Sequence, residues 1–240
     1  MINLSWSIGA ALLIGVGLAL LDVHLAISIP LGLLVGLALF VWLGRKTQEK
    51  LETIMAVVQK DIQAQKIDRA IEALKGGMRF KHQHIFVEAQ LNSQIGMLYY
   101  IKKDHESALP YLKKGFLKHY IGACMQACIY YKRKDYAQMK STMQDAVKAN
   151  SKESIVYALF AYLLQQIKEP EEAIAIMQKG LKKIPDDEKL TANLILLQNQ
   201  KKMKMKAYGE LWLQFMLERP PRVMQGPPQH VRYSKKAMFR

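Results

Sequence analysis

From Ile2 to Leu43 the sequence has no lysine or arginine and a single acid, Asp22. A water-facing amphipathic helix needs a charged face, so this absence excludes an ordinary surface helix and leaves a membrane segment. Cysteine is almost missing. Cys124 and Cys128 stand one helical turn apart, which excludes a CxxC pair and reads as two reduced, buried thiols. Glycine and proline are sparse between 45 and 218, where Ala, Leu, Ile, Gln, Lys and Glu dominate, and this favours an all-α body. Catalytic signatures are missing too. "KGGMRF" lacks the spacing of a phosphate-binding loop, and neither GxSxG nor HExxH occurs.

A hydrocarbon core of about 30 Å takes about 20 helical residues per crossing, so the apolar run is long enough for two short spans. Asp22, Val23 and His24 supply a polar turn at its centre, and Pro30 suits the first turns of a second helix. The run reads as a transmembrane hairpin over 3–21 and 26–44, within an anchor domain of residues 1–44. Arg45 and Lys46 follow at once and hold the next domain on the cytoplasmic side. Trp6 and Trp42 then share one interface. Gly32 and Gly36 form a GxxxG spacing, and Gly9, Ala11, Gly15 and Gly17 supply small residues for packing between the helices or between copies in a homo-oligomer. One long tilted helix and a cleaved signal peptide are the rival readings. The first buries Asp22 near mid-bilayer, and the second lacks a positive n-region.

The body repeats itself. Tyr157, Phe160, Ala161 and Leu164 line one face of a helix, and Ala173, Met177 and Gly180 one face of the next, with Pro170 opening that second helix and Pro185 ending it. A step of 34 residues from Ala173 reaches Ala207 with Leu211, and the same step back reaches Met139 with Met143 and Ala146. Further steps of 31 and 38 reach Ala108 with Leu112 and Gly115, then Ala70 with Leu74 and Gly77. Ile95, Gly96 and Tyr99 mark the helix before Ala108. About five helix pairs fit between 45 and 218.

A 34-residue helix-pair period with these small residues resembles the tetratricopeptide repeat, best over 154–187. The resemblance implies an α-solenoid whose first helices line a concave groove for an extended or helical peptide. The groove positions carried over are Gln90, Ser93, Met97 and Tyr100, then Cys124, Cys128, Tyr131 and Lys132. Ala158, Tyr162, Gln165 and Gln166 follow, then Lys189, Ala192, Leu196, Asn199 and Gln200. Tyr100, Tyr131 and Tyr162 recur every 31 residues and form an aromatic ridge along the groove, or else pack between helices. The basic clamp that one branch of the family uses for chaperone tails is absent, since its positions hold Ser93, Met97, Cys124 and Ala158.

Charge suggests a second partner class. The apolar run contributes −1 and residues 219–240 contribute +6 to the total of +15, which leaves +10 for the body. Arg219, Arg222, Arg232, Lys235, Lys236 and Arg240 alternate with apolar and aromatic residues in a tail whose four prolines end any helix. Such a tail suits anionic lipid, and the same charge would serve a nucleic-acid or ribosome adaptor. His82 and His84 are spaced wrongly for one helix face, and His105 and His119 are expected at solvated turns. Asp61, Asp68, Asp104 and Asp135 read as helix caps. No enzyme, cofactor or metal is expected. The sequence is read as a bacterial inner-membrane scaffold that binds a protein or peptide partner at the cytoplasmic surface.

Overall fold

The computed structural model describes residues 2–21, 24–83 and 86–218. Asp22, Val23, His84 and the basic tail from Arg219 to Arg240 lie outside the described residues. Those that are described form helices and turns, with no strand among them.

Helix α1 (Ile2–Leu20) packs against α2 (Leu25–Gln63), and the two form a hairpin. The GxxxG spacing is used inside it. A Cβ on Gly32 would meet the Ala11 carbonyl oxygen at 2.7 Å, and one on Gly36 the Ala11 Cβ at 2.7 Å and the Ser7 carbonyl oxygen at 3.0 Å. Backbone touches backbone, which side chains larger than glycine would prevent. At the open end Asn3 Nδ2 donates to Thr47 Oγ1 at 3.1 Å and to the Leu43 carbonyl at 3.3 Å, which pins the start of α1 beside the middle of α2.

Helix α2 does not stop where the apolar run stops. It continues for 39 residues, about 58 Å at 1.5 Å per residue, straight through Arg45 and Lys46. Its last turns carry Leu51 and Val58, both buried against α3 (Ile67–Gly77). The expected boundary at 44/45 therefore falls within one helix, which belongs to the apolar hairpin at its start and packs against α3 at its end.

Three further pairs follow: α4 (Val87–Ile101) with α5 (His105–Lys113), α6 (Tyr120–Lys132) with α7 (Tyr136–Ala149), and α8 (Ser154–Gln166) with α9 (Pro170–Lys183). The short turns make each pair antiparallel. The repeated positions are core: Ala70, Ala108, Met139 and Ala173 are each fully buried, with Leu74, Leu112, Met143 and Met177 one turn on. Gly96 and Gly180 mark close approach, since a Cβ would lie 2.7 Å from Leu112 Cγ and 2.8 Å from Tyr157 Cγ respectively. After each first helix the chain reverses through a left-handed residue: Gln65, Lys103, Lys134 and Lys168, with Gln200 after α10 (Glu188–Gln198), have φ between 56° and 65°. A helix commonly ends on such a residue, which turns the chain back over its own last carbonyls.

The fifth pair departs from expectation. Residues 201–204 are extended, followed by a 3₁₀ turn (Met205–Tyr208) and the single turn of α11 (Glu210–Leu213) in place of a full second helix. The cause is the pattern of "KKMKMK". Met203 and Met205 are buried while Lys202, Lys204 and Lys206 are exposed, an alternation of period two that suits extended chain and not a helix. Ala207 is exposed, and does not take the buried place of Ala173.

Candidate functional site

Helices α4, α6, α8 and α10 present the face on which the sequence places its peptide groove. The chain's own residues 201–218 lie on it. Gln165, in the last turn of α8, donates from Nε2 to the Lys201 carbonyl at 2.9 Å and accepts the Met203 N–H on Oε1 at 3.3 Å. Asn193 of α10 accepts the Lys204 N–H at 2.7 Å, so both polar ends of the extended stretch are tied to the solenoid. Farther along, the Tyr208 hydroxyl lies 3.2 Å from Ser154 Oγ, and Trp212 meets Tyr162 edge-on at a centroid distance of 4.7 Å. Tyr100 of α4 then donates its hydroxyl to the Phe215 carbonyl.

Trp212 and Phe215 act as the anchors of this segment, 1 % and 0 % exposed. The Trp212 indole N–H is satisfied by Glu218 Oε2 at 3.1 Å, which lets a polar ring edge remain buried without penalty. Apolar anchors set in a groove, with hydrogen bonds to the backbone beside them, are a recurring way for one protein to hold a peptide from another. Here the peptide is the protein's own.

Burial alters the tyrosines and thiols beneath. Tyr100 is raised far above its ordinary value, chiefly by loss of water, and Tyr162 is pushed up to about 12 for the same reason. Cys124 and Cys128 are free thiols, wholly enclosed, and burial raises both. A thiol that cannot ionise is a poor nucleophile and a poor ligand, so the pair contributes packing.

The other groove positions divide by place. Ala158 is buried with the cysteines, while Gln90, Lys132 and Gln166 are exposed and Met97, Tyr131, Tyr162 and Gln165 half-buried around the seated segment. Tyr131 leans on Tyr136 of α7, with ring centroids 6.4 Å apart. Ser93 faces away, toward the turn after α5, where its Oγ accepts the Phe116 N–H at 2.7 Å. Asn199 and Gln200 end α10 and form its reversing turn. Lys189 and Ala192 are exposed, and Leu196 is partly covered.

Charged residues elsewhere do structural work. Asp104 and Asp135 cap α5 and α7, accepting the N–H groups of Ser107 at 3.0 Å and Gln138 at 3.2 Å, and Asp187 caps α10 in the same way at 2.7 Å. Asp68 instead pairs with Lys102 of the next repeat. His105 and His119 were expected in water, yet both are half-buried, and desolvation lowers the pKa of each. Among the described residues no three His, Cys, Asp or Glu side chains gather as a metal site would require.

Comparison with known proteins agrees with the repeat geometry in one pair. A family model described as tetratricopeptide repeat matches residues 89–116, which span α4, α5 and the turn between them. Among curated proteins none matches the chain significantly. Solved structures similar to it include MamA, residue 41 to the end, from Desulfovibrio magneticus RS-1, at 18% identity and a TM-score of 0.47. Another is a MamA RS-1 double mutant titled ArsTM, also 18% identical, with a TM-score of 0.48. Each alignment covers 69% of this chain and 92% of the other.

Proposed function

We propose that this chain is a tetratricopeptide-repeat protein and a membrane-anchored scaffold that holds a protein partner against the cytoplasmic face of a bilayer. The observation that carries the reading is the continuity of α2. One helix leaves the apolar hairpin and becomes the first helix of the solenoid, so the repeats are fixed to the anchor without a linker. The hairpin's large side chains face outward, with Leu13 77% and Leu33 64% exposed, a surface that water does not tolerate and acyl chains do. Two helices among the described residues are long and apolar enough to cross.

Orientation follows from Arg45 and Lys46, which keep the solenoid on the cytoplasmic side. A bacterial inner membrane suits this arrangement. Anchoring confines the solenoid to the membrane surface and raises its effective concentration toward partners held there. The partner's binding face is a composite one. Segment 201–218 is tethered beside its cleft and outcompetes a free peptide there, so the partner contacts the rim formed by Gln90, Met97, Tyr131, Lys132 and Gln166 together with the outer side of the segment.

The test is alkaline carbonate extraction of native membranes, followed by a membrane-impermeant thiol reagent applied to a Lys183→Cys variant in intact cells and in inverted vesicles. Retention in the membrane, with labelling only in inverted vesicles, supports the anchor and its orientation. Release into the supernatant overturns the anchor, and labelling in intact cells overturns the orientation.

A further inference from the structure

We propose that the two turns nearest the hairpin, over 79–83 with Phe86 and over 113–118, form a docking surface for anionic phospholipid headgroups. This rests on the membrane reading above and assigns a second, peripheral contact to the body of the protein.

The sequence sets the charge. No acid occurs between Glu72 and Glu88, nor between Glu106 and Asp135, while Arg79, Lys81, Lys114 and Lys118 fall within those stretches. The fold brings the stretches together at the open end of the hairpin. The backbone N–H of Ile2 donates to the His82 carbonyl at 2.7 Å and that of Asn3 to the Gln83 carbonyl at 3.4 Å, and Thr47 Oγ1 donates to Gln83 Oε1 at 3.4 Å. The first turn therefore lies level with the end of the apolar run, where Trp42 is exposed and carries the Lys46 ammonium 3.9 Å above its ring. Tryptophan and lysine at that level mark the headgroup zone of a spanning helix.

Phe86 and Phe116 join the second turn to the first, with ring centroids 5.5 Å apart. Apolar tips project from both, Phe86 being 51% exposed and Leu117 58%. The four cations around them are exposed, and among the described residues none is paired with a carboxylate. Exposed rings and aliphatic tips rimmed by unpaired cations match a surface that meets phosphates above and acyl chains beneath. The feature is confined to this end. The corresponding turn after α9 carries Asp186 and Asp187, whose charge would repel the same surface.

The experiment uses the full chain reconstituted into vesicles of phosphatidylcholine alone, or of phosphatidylcholine with phosphatidylglycerol. An environment-sensitive fluorophore sits on Leu117→Cys, the native thiols being enclosed, and a control fluorophore on Lys134→Cys in a distant turn. The expected result is a blue-shifted Leu117→Cys signal, quenched by spin-labelled lipid, in the anionic vesicles only. High salt reverses it, as does K81E/K114E/K118E, which circular dichroism shows to be folded, and the control does not respond. A fluorophore that reports water in both vesicle types, on protein that resists carbonate, overturns the docking surface and leaves the anchor standing. Equal quenching in both vesicle types overturns recognition of the headgroup. RNA retained by the same cations, with the fluorophore still in water, makes the face a nucleic-acid surface and overturns the proposal. Protein that fails to insert removes the membrane reading, and the docking surface falls with it.

Discussion

The Tyr100 hydroxyl donates to the Phe215 carbonyl across 115 positions of sequence, which fastens the end of the solenoid to its second repeat. Around that bond the segment fills the cleft lined by α4, α6 and α8. It also places Trp212 and Phe215 in the main core, next to Tyr162 and the helices α6 and α8.

Trp212→Ala and Phe215→Ala should each destabilise the body by about 3–5 kcal/mol, the range for emptying a buried aromatic site. Tyr100→Phe should cost about 1–3 kcal/mol, because it leaves a buried carbonyl without its donor. Urea unfolding of the detergent-solubilised protein, followed by circular dichroism, measures all three. Wild-type midpoints for the two aromatic variants would mean that the segment is only loosely laid on the groove.

The left-handed turns give the opposite sign. Lys134 has φ of 61°, a conformation that costs a side chain about 1–2 kcal/mol and glycine almost nothing. Lys134→Gly should raise stability by part of that amount, after the greater freedom of glycine in the unfolded chain is subtracted. Lys134→Ala should not raise it. The same unfolding experiment compares them.

Helix contact inside the pairs should be intolerant of one methyl group. Gly180→Ala places a Cβ 2.8 Å from the Tyr157 ring, and Gly96→Ala one 2.9 Å from the Leu112 backbone nitrogen. Overpacking of this kind costs about 1–3 kcal/mol. Gly76→Ala, where nothing lies within 4 Å, should instead be neutral or stabilising. Thermal melts of the three variants separate the outcomes.

Mild acid should weaken the fold through His119. Burial lowers its folded pKa below the ordinary 6.5, so as pH falls through 6.5 the unfolded chain takes up a proton that the folded chain refuses. Stability therefore declines from about pH 6.5 down to the folded pKa and then levels. His119→Gln should lessen that slope, and the remainder belongs to His105, whose pKa burial lowers in the same sense; unfolding midpoints in a pH series read both.

Much of this architecture is legible in the residues. The small or apolar residues at 70, 108, 139 and 173 repeat because each second helix must approach its partner closely, and local spacing reveals that. The hairpin is legible for a similar reason, since an apolar run admits few environments. The composition change at Gly44 suggested a domain boundary, yet nothing between Arg45 and Lys50 breaks a helix, so α2 runs on. The departure from helix at 201–204 was readable from the Lys/Met alternation, which a helical template obscured. The burial of Tyr100 was not readable locally, because its cover comes from the far end of the chain. Ser93 was placed by family position, whereas its hydroxyl is drawn to the unpaired Phe116 N–H.

The central claim, a scaffold that presents a partner site at the membrane, is tested most directly by site-specific photocrosslinking in carbonate-washed native membranes, with the crosslinker at Met97 or Lys132 on the rim and at Lys183 on the outer helix α9. The account predicts that the chain stays in the membrane pellet and that one protein is joined to it from Met97 and Lys132 but not from Lys183. Release from the membrane, or the same crosslinks from all three positions, would contradict it.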